Sequence, residues 1–524
     1  MAKYEESDPS LPKSPAQALK DPECRASMKK EIDGFWEMKV WVLVPRPPPG
    51  PNVVVRRGVW GHRRKPKDGS LKSRYSFDGS DIVDTPENVY SGTPKSESVN
   101  LMCEISASLG IPLKSGDIPK AYLHAEMPES GTTYYVTQPP GFVNPEHPNH
   151  VLKLLRPMYG LPCAGRLWNR TWVTFACNSI GFVQMKSDPC IFKLTTEKGN
   201  VMYMLLFTDD DLSCCTSPKL EAKVFMELEK RFKYKNDGIC TFFLGARMVQ
   251  DFSGVRLLLD GFTKDLIGKF KDYNVKVRDT PGQSGLMLKE PSEPSSSDFP
   301  MGTLNGSLLW VSRTRPEICY AVGQSCKFTA NFDQSHVEAG LHILGYLKKY
   351  PDYGLYFKSN PDYKKGDKFK VEIYVDSSFA DDPVRRHSTY GYLIFVNGNL
   401  ISWRSKLTPK VAHSSTEAEY IAMSEGGKAA EGIMNLIEEL GFEIDYPVPL
   451  YVDNAGAKEW AANPMVTNRS KHIELRYHYI RELIASGRIE PRKISTVENI
   501  SDITTKNLGR VLFWKHAKKL VHKC

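Results

Sequence analysis

The feature that most narrows what this chain can fold into is the stretch Val201-Met-Tyr-Met-Leu-Leu-Phe-Thr-Asp-Asp-Asp-Leu-Ser-Cys-Cys215. An apolar run ends at Phe207. Thr208 and three aspartates follow (Asp209, Asp210 and Asp211), and then a second short apolar run. The pattern predicts a buried strand, a tight acidic turn and a return strand. Like charges crowded at a hairpin tip repel one another. A divalent cation relieves that repulsion, because hard cations take carboxylate oxygens. Asp also favours turns for its own reasons, so a solvated turn stays open until another carboxylate joins the cluster.

The chain has 524 residues, room for about three or four domains. Its hydrophobic fraction of 41% allows sizeable cores. A net charge of +9 points to an anionic partner, nucleic acid being the commonest, with a solvated basic surface as the alternative. The 11 cysteines are odd in number and scattered, with no Cys-x-x-Cys pair. This argues against a disulfide framework and a structural zinc site, and fits a reducing compartment. The longest apolar runs fall far short of the ~18 residues a membrane span needs. No apolar signal core opens the chain, so an intracellular location is expected.

Residues 1–20 read as a loose tail. From Pro22 to Val44 the text is helical, with Met28, Ile32, Phe35 and Met38 at spacings of three and four. Pro45 to Pro51 stops any helix. Eight basic residues then fall within 53–74: Arg56, Arg57, Arg63, Arg64, Lys65, Lys67, Lys72 and Arg74. Asp68-Gly69 signals a hairpin turn between two basic strands. Such a ribbon suits phosphate contacts; a solvated hairpin and a nuclear-import patch at 63–67 are the alternatives. Asp117 stands at a predicted strand end, a candidate third carboxylate for Asp209 and Asp210. A helix over Ala164–Ile180 carries Leu167, Trp168, Trp172 and Phe175 as a core stripe.

Seven motifs occur in order: Asp117-Ile-Pro-Lys-Ala-Tyr-Leu123, Gln138-Pro-Pro-Gly-Phe142, Met158-Tyr-Gly-Leu161, Arg166-Leu-Trp168, Ser187-Asp-Pro-Cys-Ile-Phe192, Phe207-Thr-Asp-Asp210 and Phe243-Leu-Gly245. Together they resemble the reverse transcriptase of copia-type retrotransposons. The resemblance implies an α+β, multidomain chain: a right-hand polymerase of fingers, palm and thumb, then a connection segment and a ribonuclease H-like α/β domain. It implies that Asp117, Asp209 and Asp210 hold two Mg²⁺ (or Mn²⁺) ions, with Asp211 a bystander. By the same resemblance Tyr122 is the aromatic gate against a ribose 2′-hydroxyl, and Lys72 and Arg74 meet the triphosphate. Three positions depart from the pattern. Phe207-Thr208 replaces Tyr-Val, and Cys163 stands where the family's Gln contacts the incoming nucleotide. The fingers segment after Arg74 also matches poorly.

A second acidic series follows. Val371-Glu-Ile-Tyr-Val-Asp376 reads as a strand, and Ser414-Ser-Thr-Glu-Ala-Glu-Tyr420 opens a long helix that Ser415 or Thr416 could cap. Asp453 ends a strand, and Asp502 lies near the start of a last helix. The order resembles the ribonuclease H fold, which implies that Asp376, Glu419, Asp453 and Asp502 hold a second pair of Mg²⁺ ions, with Glu417 as the alternative to Glu419. Lys471-His-Ile-Glu-Leu-Arg-Tyr-His478 also matches the copia-type pattern.

The resulting division is a tail at 1–20, the reverse transcriptase at 21–281, linker and connection at 282–367, ribonuclease H-like residues at 368–510, and a basic tail at 511–524. The implied activity is RNA-directed DNA polymerisation with cleavage of the RNA strand of the hybrid. The implied partners are an RNA template, a DNA primer, the RNA–DNA hybrid and deoxynucleoside triphosphates, with no membrane. By the family's habit the setting is cytoplasmic and particle-associated, or nuclear. With no zinc knuckle, integrase motif or protease segment, the chain reads as the polymerase end of a polyprotein or a stand-alone remnant. The alternative is a co-opted nucleic-acid-binding remnant without polymerase activity.

Overall fold

A computed structural model of the chain describes residues 11–12, 14–64, 69–82, 91–129, 131–291, 298–364, 366–462 and 478–523. The predicted Asp68-Gly69 turn is thus described only at Gly69, and the 471–478 motif only at His478.

The acidic stretch forms the hairpin its spelling predicts. Strand Val201–Phe207 pairs antiparallel with Asp210–Cys215. They sit inside a six-stranded sheet ordered 235–239, 114–117, 210–215, 201–207, 191–195, 183–184. Side chains alternate across a strand, and both faces of this sheet are covered. Met202, Met204 and Leu206 pack with Trp168 and Trp172, and with Val224, Leu228 and Phe232 of helix Pro218–Phe232. Tyr203 and Leu205 join a second core with Leu101, Met102 and Ile105 of helix Ser96–Leu109. Burial on both faces explains an unbroken apolar run where a half-exposed strand would alternate.

Ahead of this palm sheet lies a four-stranded sheet ordered 41–44, 151–154, 133–137, 53–56, and a separate ribbon of Gly58–Arg64 with Leu71–Phe77. Helix Pro22–Glu37 packs beside the ribbon, burying Met28, Ile32 and Phe35. It stops short of the predicted Val44, because Trp41–Val44 is drawn into the sheet.

Beyond the palm, strands 242–243, 246–251, 254–258 and 353–358 form one sheet with His522–Lys523. The chain's end is therefore folded, not a tail. Helix Arg510–Ala517 buries Phe513 and Ala517, and Leu520 and Val521 are buried after it. Basic residues at the surface of this segment masked an apolar face at helical spacing. Within the expected N-terminal tail, Pro15–Lys20 is a short helix capped by Ser14.

The last sheet runs 399–407, 389–396, 371–378, 448–452, 489–493, antiparallel across the first three strands and parallel across the rest. Helix Ser415–Glu439 crosses one face. Gly426 permits the close approach, since a Cβ there would fall 2.7 Å from Val375 Cγ1. The helix is capped by Ser414, whose Oγ accepts from the Glu417 amide at 3.1 Å, rather than by Ser415 or Thr416. Three antiparallel strands, a long helix and two further parallel strands make a ribonuclease H-like fold. Among the described residues no helix is long and apolar enough to cross a membrane.

Candidate functional site

Phe207 pairs with Asp210, leaving Thr208 and Asp209 as a two-residue turn. Thr208 takes the positive φ of 58° that such a turn demands. For a β-branched residue that conformation is strained, and two bonds hold it. The Trp168 indole N–H donates to the Thr208 carbonyl at 2.6 Å. The Ile118 amide donates to the Asp209 carbonyl at 2.8 Å. The Arg166-Leu-Trp and Asp117-Ile-Pro motifs thus meet at the acidic tip.

Across the sheet, Asp210 pairs with Asp117, which also faces Lys235 on its other side. Burial, followed by the charge of Asp209, holds the Asp117 carboxyl above its usual range. Asp210 lies at the open edge of the site, yet the atoms crowded around it, then Asp209, Asp117 and Asp237, push it up to about 7. Asp237 sits in a bulge of strand 235–239. Nothing in its local spelling, Lys-Asn-Asp-Gly, distinguishes it from a turn residue.

Asp211 turns the other way and is 1% exposed. Lys72 and Arg74 lie on strand Leu71–Phe77, Lys72 near enough to Asp117 for the two charges to act on each other. The Arg74 guanidinium stacks over the Tyr159 ring at 4.6 Å, and Tyr122 packs against the same ring at 5.5 Å. Burial, then Arg74 and Arg63, lower the Lys72 ammonium. Cys163 stands at the start of helix Ala164–Phe175, packed against the apolar cluster of Met158, Leu161 and Ala164.

The Ser187-Asp-Pro-Cys motif has a structural use. Asp188 Oδ2 accepts from Ser98 Oγ at 2.5 Å and from the Lys95 amide at 3.2 Å, tying helix Ser96–Leu109 to the palm.

The second acidic centre is tighter. One ligand oxygen each from Asp376, Glu419 and Asp453 lies within 4.8 Å of the others. Among the described residues this is the one such trio; Asp117, Asp209 and Asp210 do not converge as closely. Asp376 and Glu419 are 2% and 5% exposed. Glu419 Oε1 accepts from the Ser377 amide at 3.1 Å, while its buried Oε2 has no hydrogen-bond partner. An orphaned carboxylate oxygen aimed into a carboxylate trio fits a divalent cation. Glu417, by contrast, closes the helix start by accepting from the His413 amide at 2.7 Å.

Asp502 lies on a 3₁₀ turn, Ile500–Thr504, with the α-helix beginning only at Arg510. Asn499 anchors that turn by donating to the Val375 carbonyl at 2.9 Å. Gly391, paired with Asp376, lets the turn come close: a Cβ there would meet Thr504 Oγ1 at 1.8 Å. Thr505 Oγ1 donates to Asp376 Oδ2. Lys506 Nζ lies 3.7 Å from Asp376 Oδ2 and 3.1 Å from Asp502 Oδ1. The sequence reading missed Lys506, although its place four residues after Asp502 was the available signal. Burial lifts Asp376 to about 7 against the pull of Lys506. Burial, then Asp376 and Asp453, holds Glu419 well above its usual range. A cleft of about 350 Å³ between strand 353–358 and the ribonuclease H-like sheet contains none of the predicted site residues.

A palm sheet bearing an acidic hairpin, followed by a ribonuclease H-like sheet, defines the class of reverse-transcriptase folds. Residues 38–283 match the family described as reverse transcriptase (RNA-dependent DNA polymerase). The chain is 31% identical over 529 residues to the retrovirus-related Pol polyprotein from transposon RE1 of Arabidopsis thaliana, covering 98% of this chain and 34% of that protein. It is 32% identical over 313 residues to a putative transposon Ty5-1 protein of Saccharomyces cerevisiae, covering 59% of this chain and 98% of that one. The foamy viral protease-reverse transcriptase solved in complex with double-stranded DNA shares the fold. It has a TM-score of 0.53 at 13% identity, covering 91% of this chain and 70% of that one. The chain belongs to the copia-type retrotransposon reverse transcriptases, and it spans about a third of the length of the Pol polyprotein relatives it matches.

Proposed function

We propose that the chain copies RNA into DNA at the palm and cuts the RNA strand of the hybrid at the ribonuclease H-like centre. The observation that carries this is the pairing of Asp117 with Asp210 beside the Asp209 tip, at a mouth that also receives Lys72, Arg74 and Tyr122. In this reading Asp117, Asp209 and Asp210 hold the cations of the first site, and Asp376, Glu419, Asp453 and Asp502 those of the second. When bound, two Mg²⁺ ions per site supply charge stabilisation to the attacking and leaving oxygens of an in-line displacement.

The chain's own side chains do the rest. Lys72 and Arg74 bind the triphosphate, and Tyr122, braced by Tyr159, closes the pocket against a 2′-hydroxyl. Thr505 and Lys506 fix the Asp376 carboxylate, and Ser377 fixes Glu419. The partners are an RNA template, a DNA primer, the hybrid they form and deoxynucleoside triphosphates. The working division is polymerase at 21–281, linker and connection at 282–367, and ribonuclease H-like residues at 368–510, with the sheet of 242–258, 353–358 and 522–523 joining the first two to the chain's end.

Primer extension on an RNA template with Mg²⁺, beside an Asp209→Asn control, tests the first site. Cleavage of a labelled hybrid beside Asp376→Asn tests the second. Extension lost with Asp209→Asn and cleavage lost with Asp376→Asn are the expected results. The looser gathering of the palm carboxylates favours a second reading, a nucleic-acid-binding nuclease that does not polymerise. Hybrid cleavage without extension by the unmodified chain selects it.

A further inference from the structure

The ribbon strand Leu71–Phe77 pairs with Gly58–Arg64 along one edge only. Its other edge would leave backbone groups without a strand partner. Helix Pro22–Glu37 supplies partners to that edge from Ser27. Ser27 Oγ accepts from the Ser73 amide at 2.9 Å and donates to the Leu71 carbonyl at 3.2 Å. The Glu31 carboxylate, one turn on, lies close enough to Lys120, Arg74 and Lys72 for their charges to act on it. Ser27 thus follows the backbone at 71 and 73, and Lys72 and Arg74 alternate with those positions along the same strand. The Glu31 side chain is 11% exposed, with Lys120 Nζ 4.0 Å away. Lys120 follows the Asp117-Ile-Pro motif directly. Gly34 makes room for it on the helix, since a Cβ there would fall 2.0 Å from its Nζ.

We infer that helix Pro22–Glu37 is a wall of the nucleotide pocket, and that Glu31 is a positioning residue that sets Lys72 and Arg74 for the triphosphate. The helix lies ahead of residues 38–283, the part matched to the family. The inference rests on the polymerase reading of the palm. Its physical content is alignment and charge. Three cations, Lys72, Arg74 and Lys120, crowd a region that must stay ordered before a triphosphate arrives. One largely covered carboxylate, a turn along the helix from the Ser27 anchor on that strand, offsets their repulsion and fixes their register.

The test measures deoxynucleoside triphosphate affinity on a chain-terminated primer–template, and KM and kcat for extension, for the full chain and for Glu31→Gln, Lys72→Ala and the double variant. Glu31→Gln is expected to weaken affinity and raise KM roughly fivefold or more, with kcat nearly unchanged, the signature of lost binding rather than lost chemistry. In the Lys72→Ala background the same change is expected to add less than about twofold, because the two residues act as one unit. Hybrid cleavage by the same molecules reports that the chain is folded. Ser27→Ala, which removes the hydrogen-bonded link to the strand and no charge, is expected to move KM in the same direction.

Affinity and KM unchanged in Glu31→Gln, with the unmodified chain binding and extending, overturn this inference alone. So does a full additional loss in the Lys72→Ala background. An unmodified chain that cleaves hybrid but binds no triphosphate overturns both this inference and the polymerase reading.

Discussion

Single residues around the acidic tip divide into those that serve the site and one that burdens the fold. Asp211 belongs to the second kind. It continues the run of aspartates, but its carboxyl is buried, pushed up to about 7 chiefly by that burial. The Ser213 and Tyr234 hydroxyls stand beside it without the geometry of full hydrogen bonds. A buried carboxyl without good partners costs stability. Asp211→Val, close in volume and suited to a strand, is expected to stabilise the chain by about 1–3 kcal/mol. The measurement is the denaturant midpoint; a lower midpoint contradicts the expectation. Trp168 is the opposite case, because its indole N–H holds the strained Thr208 carbonyl. Trp168→Phe keeps a ring in the core but loses that donor. Extension is expected to fall roughly tenfold as the tip shifts, while hybrid cleavage by the same molecules stays. Equal loss of both activities would mean general unfolding instead.

Among elements, the most consequential contact is made by the end of helix Ser415–Glu439. Glu439 accepts from the Lys186 amide at 2.8 Å, the Ser187 amide at 3.1 Å and Ser187 Oγ at 2.9 Å. Beside it, Tyr203 of the palm stacks on Phe442 at 5.7 Å. The ribonuclease H-like sheet is thereby fastened to the back of the palm. Glu439→Ala leaves three donors without that partner and is expected to cost about 2–3 kcal/mol. Calorimetry is expected to resolve two transitions in the variant where the parent shows one; a single unchanged transition contradicts this. Such contacts explain what the sequence could and could not disclose. The hairpin at 201–215 was legible because an apolar run with an acidic break has few other uses. Asp376, Glu419 and Asp453 were legible through their order along a recognisable pattern, and the structure gathers them. Glu439 meeting Ser187, or Ser27 meeting the Ser73 amide, joins segments whose local spelling is ordinary. Asp237 is a charged residue of common type that only the packing of strands brings to the palm centre, whereas Lys506 was signalled by its place four residues after Asp502. The chain's end misled because four lysines and two histidines are interspersed among the apolar residues that dock it.

For the whole molecule, buried carboxyls decide how stability varies with pH. Glu104 is the clearest, being 0% exposed, with no carboxylate of either acidic centre among the groups that shift it. It joins helix Ser96–Leu109 to the ribonuclease H-like sheet by accepting from Asn397 Nδ2 at 2.9 Å and Asn399 Nδ2 at 2.5 Å. Burial lifts it to about 7 even against these hydrogen bonds. Asp211 and Asp376 are raised to about the same value. A carboxyl raised in the folded state keeps its proton there while the unfolded chain has released its own. Stability therefore falls as pH rises from about 4.5 to about 7, and levels off above. For Glu104 alone the loss is roughly 3 kcal/mol across that window. Glu104→Gln is expected to flatten the fall by about that amount while leaving any stabilisation by Mg²⁺ intact. Asp376→Asn separates the two effects from the other side. Ionised carboxylates bind the cation and protonated ones do not, so Mg²⁺ is expected to raise the melting temperature of the parent more at pH 8 than at pH 5.5. That difference should shrink in Asp376→Asn. Melting curves of the three chains, with and without Mg²⁺ across that pH range, check both. A Mg²⁺ response that is the same at both pH values, or that survives Asp376→Asn in full, places the stabilising cation elsewhere than the Asp376, Glu419 and Asp453 trio.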